Sequence, residues 1–124
     1  MNAPSFYPLR FEPIYQYRLW GGQRLADVLA EPLPDNEPIG EAWLLSDRDD
    51  HASTVADGPL KGSTIRQLLE QSPVQMLGKL VGRFKRFPVL LKFLDAHSKL
   101  SVQVHPDDER KAYIPAGESG KTEA

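Results

Sequence analysis

Hydrophobic positions along this chain come in short runs cut by proline and glycine, and their spacing changes from run to run. Residues 6–14, crossed by Pro8 and Pro13, read as an extended arm or edge strand, where a strand tolerates proline. Gly21 and Gly22 break the chain. Leu25, Val28 and Leu29 then recur at helical spacing, which predicts a short amphipathic helix over 22–30. Residues 31–38 hold Pro32, Pro34 and Pro38 and read as a loop. Residues 39–46 read as a strand and 52–56 as its partner, joined by the polar stretch Asp47-Arg48-Asp49-Asp50. Asp57-Gly58-Pro59 is a turn. Two helices with clear start signals follow. Thr64 with Gln67 forms a capping-box pattern ahead of Ile65, Leu68 and Leu69. Ser72, with Pro73 at the first helical position and Gln75 repeating the pattern, opens the second. Met76, Leu77, Leu80 and Val81 supply its apolar face.

Residues 88–94 are dense in apolar side chains and predict a buried strand; residues 100–105 predict another. The polar residues 95–99 would turn the two into a β-hairpin. Residues 107–113 predict a short helical turn, and 121–124 the start of a further strand. That last strand has no cap and no partner, so the pattern reads as a truncation rather than a natural end.

A chain of 124 residues predicts one domain, 1–124, with a modest core. Eleven prolines favour a mainly β chain with a few short helices over a helical bundle. Fifteen Lys and Arg against seventeen Asp and Glu give a net charge of -2, so no general attraction to nucleic acid or to an anionic membrane is expected. With no cysteine, disulfides, thiolate metal sites and thiol nucleophiles are excluded. The first ten residues carry no apolar segment of the signal-peptide kind, and no apolar run approaches about 18 residues. A cytoplasmic location is the expectation.

The chemistry concentrates in Lys99-Leu-Ser-Val-Gln-Val-His-Pro-Asp-Asp108. On a strand, Ser101, Gln103 and His105 share one face and Val102 and Val104 the other. Polar groups on a buried strand need partners, and a metal ion or polar ligand would supply them. The same parity groups Lys121 with Glu123. An imidazole, an amide oxygen and a carboxylate are acceptable ligands for zinc or another first-row divalent ion. From spacing alone a second reading stands beside this one: His105 bonds backbone at a strand end. His97 and His51 read as solvated, and Trp43 as core. Arg83-Phe-Lys-Arg-Phe87 interleaves basic and aromatic residues as single-strand binders do, but in a slightly acidic chain it reads as a solvated loop with two anchoring phenylalanines.

Several stretches resemble the type I mannose-6-phosphate isomerase (phosphomannose isomerase) family, especially its shorter bacterial members. They are Phe11-Glu-Pro, Leu19-Trp-Gly-Gly22, Ile39-Gly-Glu-Ala-Trp-Leu-Leu-Ser46, Gly58-Pro-Leu-Lys-Gly62, Phe87-Pro-Val-Leu-Leu-Lys-Phe-Leu-Asp-Ala96, Leu100-Ser-Val-Gln-Val-His-Pro-Asp107 and Gly120-Lys-Thr-Glu123. The resemblance implies a cupin-type, jelly-roll β-barrel, incomplete in this chain, of which residues 1–124 form the N-terminal portion. It implies one Zn2+ held by Gln103, His105 and Glu123, with a fourth ligand and a later arginine beyond Ala124. It implies interconversion of mannose 6-phosphate and fructose 6-phosphate through a cis-enediol, with a small-molecule sugar phosphate as partner. Ser101 and Lys92 match residues lining the substrate site, and Trp20 and Glu41 match positions near it. Lys121 matches the lysine beside the third ligand and would assist ring opening or proton handling. Lys92 lies inside an apolar run and needs a partner or a wet cavity, unless it snorkels from an edge strand. Many members have His-Lys-Pro-Glu where this chain has Gly120-Lys-Thr-Glu123, so a histidine before the lysine has no counterpart here. Two other classes stay open. One is a non-catalytic cupin-like module binding sugar or metal. The other is a different metal-dependent cupin enzyme such as an oxygenase, which would want a histidine where Gln103 stands.

Overall fold

In a computed structural model that describes residues 5–121, three antiparallel strands form the main sheet. They are β1 (Ile14–Gly22), β2 (Ile39–Leu45) and β5 (Leu91–Leu94), in the spatial order β1-β2-β5. A two-residue ribbon pairs β3 (Asp47–Arg48) with β4 (His51–Ala52). Three short helices complete the set: α1 (Leu25–Leu29), α2 (Ile65–Gln71) and α3 (Pro73–Leu77). The described residues are mainly β with short helices, and they form no closed barrel.

β2 lies at the centre, and its first four residues are buried. Tyr15 pairs with Ala42 and Gln16 with Glu41 on one side; Phe93 pairs with Ala42 and Lys92 with Trp43 on the other. Gly40 lets side chains of β1 lie directly on β2: a Cβ there would come within 2.6 Å of Arg18 Cβ and 2.8 Å of Trp20 Cζ3. α1 packs Leu25 against Ile39 and Ala42, with Tyr15, Leu29 and Leu33 around them. Val28 lies off that face, 59% exposed. Asp95, buried at the end of β5, accepts from the Arg24 amide at 2.9 Å and so holds the start of α1.

α2 buries its own Ile65, Leu68 and Leu69, and Val55, which precedes the helix, is buried as well. The expected capping box is formed: the Gln67 amide donates to Thr64 Oγ1 at 3.1 Å, and the Thr64 amide to Gln67 Oε1 at 2.9 Å. Buried Asp47 ties this helix to the chain before β5. It accepts from Arg66 Nε at 2.9 Å and from the Phe87 amide at 2.9 Å.

Several expectations are corrected. The first long strand is 14–22 rather than 6–14; the arm docks on residues 54–60 through the isolated bridge of Phe11 with Val55, the backbone hydrogen bonds Glu12 to Thr54 and Ala56 to Arg10, and the contacts of Tyr7 and Arg10 with Asp57. Two glycines masked that strand in the sequence, yet they end it rather than precede it. The strand expected over 52–56 is not the ladder partner of 39–46: β2 pairs with β1 and β5, while His51–Ala52 pairs with Asp47–Arg48 from the expected connection, and Thr54 and Val55 make isolated bridges. Ser72 gives α3 no side-chain cap, its hydroxyl is buried without a hydrogen-bond partner, and α3 buries none of its residues. Leu80 and Val81 are 40% and 43% exposed.

Residues 88–94 do hold a strand, but β5 pairs with β2 and leaves Leu91, Phe93 and Leu94 exposed. The expected hairpin with 100–105 is not formed, and 100–105 is neither strand nor buried: Val102 is 99% and Val104 90% exposed. Alternation assigns faces only once a neighbouring strand supplies the ladder, and among the described residues none pairs with this segment. Residues 95–98 instead fold back on β1, where the amides of His97 and Ser98 donate to the Trp20 carbonyl at 2.9 and 3.0 Å. The helical turn near 107–113 is a 3-10 turn at Lys111–Tyr113. Lys121 lies outside any strand, and the rest of 121–124 falls outside the described residues. Among the described residues no helix is long and apolar enough to cross a membrane.

Candidate active site

Glu41 is a carboxylate on a strand with a neighbour on each side, and it is 6% exposed. Residues two apart on a strand share a face, as do residues directly opposite. Glu41 and Trp43 therefore point to the same side of the sheet as Lys92, the cross-strand partner of Trp43. Lys92 Nζ donates to Glu41 Oε1 at 2.8 Å. Arg18 Nη2 donates to Oε2 at 2.9 Å, and the Trp43 indole Nε1 donates to the same oxygen at 3.1 Å. Burial by itself would push the Glu41 carboxyl up. The hydrogen bonds from Lys92 and Trp43 and the charges of Lys92 and Arg18 outweigh it and hold the group below the ordinary carboxylate range.

Lys92 thus finds a charged partner inside its apolar run; its side chain is 26% exposed. A lysine ammonium carries three donors, and Glu41 accepts one. Arg18, Glu41 and Lys92 together carry one more positive charge than negative. Trp20 is half-buried, with its ring against Gly40, beside Glu41 in the chain.

Of the residues read from the sequence, the structure hydrogen-bonds Glu41 to Lys92, and Gln103 to Ser101. In the second pair Gln103 Nε2 donates to Ser101 Oγ at 2.8 Å, which leaves Oε1 as the atom Gln103 offers a cation. Ser101, Gln103 and His105 are exposed. The Lys121 amide donates to the Pro106 carbonyl at 3.1 Å, so the chain returns to within one residue of His105. The Gly120 amide donates to Asp108 Oδ1 at 2.7 Å, and a Cβ at this glycine would fall inside the backbone of Asp107 and Asp108. With this backbone a side chain at the position before Lys121 would require the chain at Asp107 and Asp108 to shift. Glu123 lies outside the described residues. Among the described residues no group of three or more His, Cys, Asp or Glu is placed to hold a metal; Gln103 is of another type.

Sequence reasoning missed Arg18 altogether and assigned Trp43 to the core. Trp43 is half-buried, donates to Glu41, and its ring meets that of exposed His51 at 5.3 Å and 56°. The signal for Arg18 was its position two before Trp20 in Tyr17-Arg-Leu-Trp20, but parity could not be applied until 14–22 was known to be a strand. The basic and aromatic stretch 83–87 serves as an anchor: Arg86 pairs with Asp49 at 2.6 Å and the Phe87 amide with Asp47. Phe87 is half-buried, whereas Phe84 is 43% exposed and anchors little.

Comparison with known proteins first defines a class, the sugar-phosphate isomerases. Two Bacillus subtilis relatives, the probable mannose-6-phosphate isomerase GmuF and the mannose-6-phosphate isomerase ManA, are each 42% identical to this chain over 94% of its length. The crystal structure of the mannose 6-phosphate isomerase from Bacillus subtilis superposes with a TM-score of 0.78 at 36% identity, covering 91% of this chain and 35% of that one. A putative mannosephosphate isomerase from Archaeoglobus fulgidus gives 0.73 at 27% identity, covering 91% and 37%. The family profile described as phosphomannose isomerase type I, catalytic domain, matches residues 9–120, and the chain belongs to that family. It spans 36% of the length of GmuF and 35% of ManA. The cupin-type fold class expected from the sequence is that of these neighbours.

Proposed function

We propose that residues 1–124 form the N-terminal portion of a single cupin-type domain that interconverts mannose 6-phosphate and fructose 6-phosphate. What supports the reading, within the family match, is the arrangement at Glu41: a buried anion holds Lys92 at the sheet surface with donors to spare and a net positive charge around it. That suits an anionic, hydroxyl-rich ligand. In this reading Lys92 and Ser101 hydrogen-bond the sugar phosphate, Trp20 forms an apolar wall, and Glu41 serves the substrate site by holding Lys92. Isomerisation moves a proton between C2 and C1 through a cis-enediol, and Lys121 handles protons during ring opening.

Gln103, His105 and Glu123 would hold the zinc. The donor chemistry of the first two fits, since the amide nitrogen of Gln103 is spent on Ser101 and its oxygen is the ligand atom left. When bound, zinc supplies Lewis acidity to the sugar oxygens. The cytoplasm is the compartment in which a sugar phosphate of this kind is met.

A second reading, a non-catalytic cupin-like module binding sugar or metal, draws on the full exposure of the segment that carries Gln103 and His105. Preference for the phosphorylated sugar tests the substrate assignment, and any turnover would decide against the non-catalytic module. The 124-residue chain, loaded with zinc and assayed with mannose 6-phosphate, is expected to bind the sugar phosphate in preference to mannose and to show no measurable isomerisation by itself. Equal affinity for mannose and mannose 6-phosphate would sink the substrate assignment. Turnover that disappears in His105→Ala would overturn the expected inactivity and eliminate the non-catalytic module.

A further inference from the structure

Arg18 is absent from every set of residues the sequence suggested, yet it makes the second ion pair of the one carboxylate buried on β2. Its guanidinium bridges two acceptors within the protein: Nη2 donates to Glu41 Oε2 at 2.9 Å and Nη1 to the Tyr17 carbonyl at 2.8 Å. It arrives from β1, whereas Lys92 arrives from β5, and Glu41 stands on β2 between them. The two cations take different oxygens of the carboxylate, Arg18 and Trp43 on Oε2 and Lys92 on Oε1. A carboxylate held on Oε2 by a guanidinium and an indole is restrained in rotation, which constrains the direction of Oε1 and with it the position of the Lys92 ammonium.

We propose that Arg18 is a positioning residue: through Glu41 it sets where Lys92 presents its remaining donors to a sugar phosphate. Arg18 itself touches no ligand in this account; it works from the far side of the carboxylate. The inference rests on the sugar-phosphate reading for its ligand and on the hydrogen bonds alone for its clamp. Gly40 completes the device, because any side chain there would displace Arg18 from the strand surface. The groups facing Glu41 are Arg18 from β1, Lys92 from β5 and the neutral indole of Trp43 on its own strand.

The test uses the 124-residue chain with carbon-13-labelled glutamate and nitrogen-15-labelled backbone. NMR titration follows the Glu41 carboxyl with pH, and mannose 6-phosphate is the added ligand. In Arg18→Gln the Glu41 midpoint should move upward and affinity for mannose 6-phosphate should fall about tenfold, a coupling of ordinary size between contacting residues. Arg18→Lys should restore most of the midpoint but only part of the affinity, because an ammonium keeps the charge without the planar fork. A backbone spectrum unchanged outside β1, β2 and β5 shows that the variants fold. An unmoved Glu41 midpoint in folded Arg18→Gln overturns the clamp. So does a moved midpoint with affinity unchanged, since Lys92 would then not depend on Arg18. If the wild-type chain binds no sugar phosphate while the midpoint moves as expected, the clamp stands and the substrate assignment falls.

Discussion

Glu41 accepts from Lys92, Arg18 and Trp43 while nearly inaccessible, so removing its charge leaves two cations facing one neutral group across β2. Breaking one partner of a buried pair costs about 3–5 kcal/mol, but here both cations reach water, and Glu41→Gln is expected to cost about 2 kcal/mol in urea unfolding. The pH dependence has a definite sign. The folded carboxyl lies below its ordinary value of 4.5, because Lys92, Trp43 and Arg18 overcome the upward push of burial. Its stabilisation is therefore complete above 4.5 and is lost as the pH falls through the folded value. Midpoints measured between neutral and acid pH should show a contribution present in wild type and missing in Glu41→Gln. Tyr15 behaves in the opposite way. Burial, then its hydrogen bond to Glu31, then the Glu31 charge raise the phenol above its usual 10. Its share of stability holds below 10 and is lost as the pH rises further, so Tyr15→Phe should flatten the alkaline limb of the same profile.

Among elements, α2 shows how a local signal and a tertiary contact combine. Its capping box was legible in Thr64 and Gln67, since three-residue spacing is all the motif requires. Thr64→Ala should cost about 1 kcal/mol by thermal or urea denaturation. What the helix is anchored to was not legible: Asp47 binds both Arg66, nineteen residues on, and the Phe87 amide, forty residues on. Asp47→Ala should cost more than the cap, about 2–3 kcal/mol, by stranding the Phe87 amide and removing the carboxylate partner of Arg66. Hydrogen exchange should show faster opening of residues around 84–88 in that variant. The reverse case is Ser72-Pro-Val-Gln75, which carries the same start signal without forming the cap. The Ser72 amide that a box would use already donates to the Leu68 carbonyl at 2.9 Å, and the serine hydroxyl is buried without a partner, so the motif marks a helix start but not a box.

For the whole molecule, the decisive feature is the distribution of apolar surface. Among the described residues β5 ends the sheet with Leu91, Phe93 and Leu94 exposed, and Val102 and Val104 stand almost wholly in solvent. An open strand edge beside exposed apolar side chains invites pairing with another copy. Sedimentation velocity should show association that grows with concentration, and Val102→Asp with Val104→Asp should lower it. A sharp monomer at all concentrations would show that this surface is covered in solution.

The sequence by itself determined the things that depend on neighbours along the chain. These include the positions of β2 and β5, the start of α2, the turns at proline and glycine, and, through Leu100-Ser-Val-Gln-Val-His-Pro-Asp107, membership of the phosphomannose isomerase family. Only the tertiary structure decided which strands pair, and so which residues share a face. It placed β1 beside β2, brought Arg18 to Glu41, turned Trp43 from core residue into hydrogen-bond donor, and left 100–105 outside the sheet. The reason is physical. Alternation along a strand has a period of two and tells faces apart, but register and partner come from hydrogen bonds between segments far apart in the chain, and those are written in no single stretch of it.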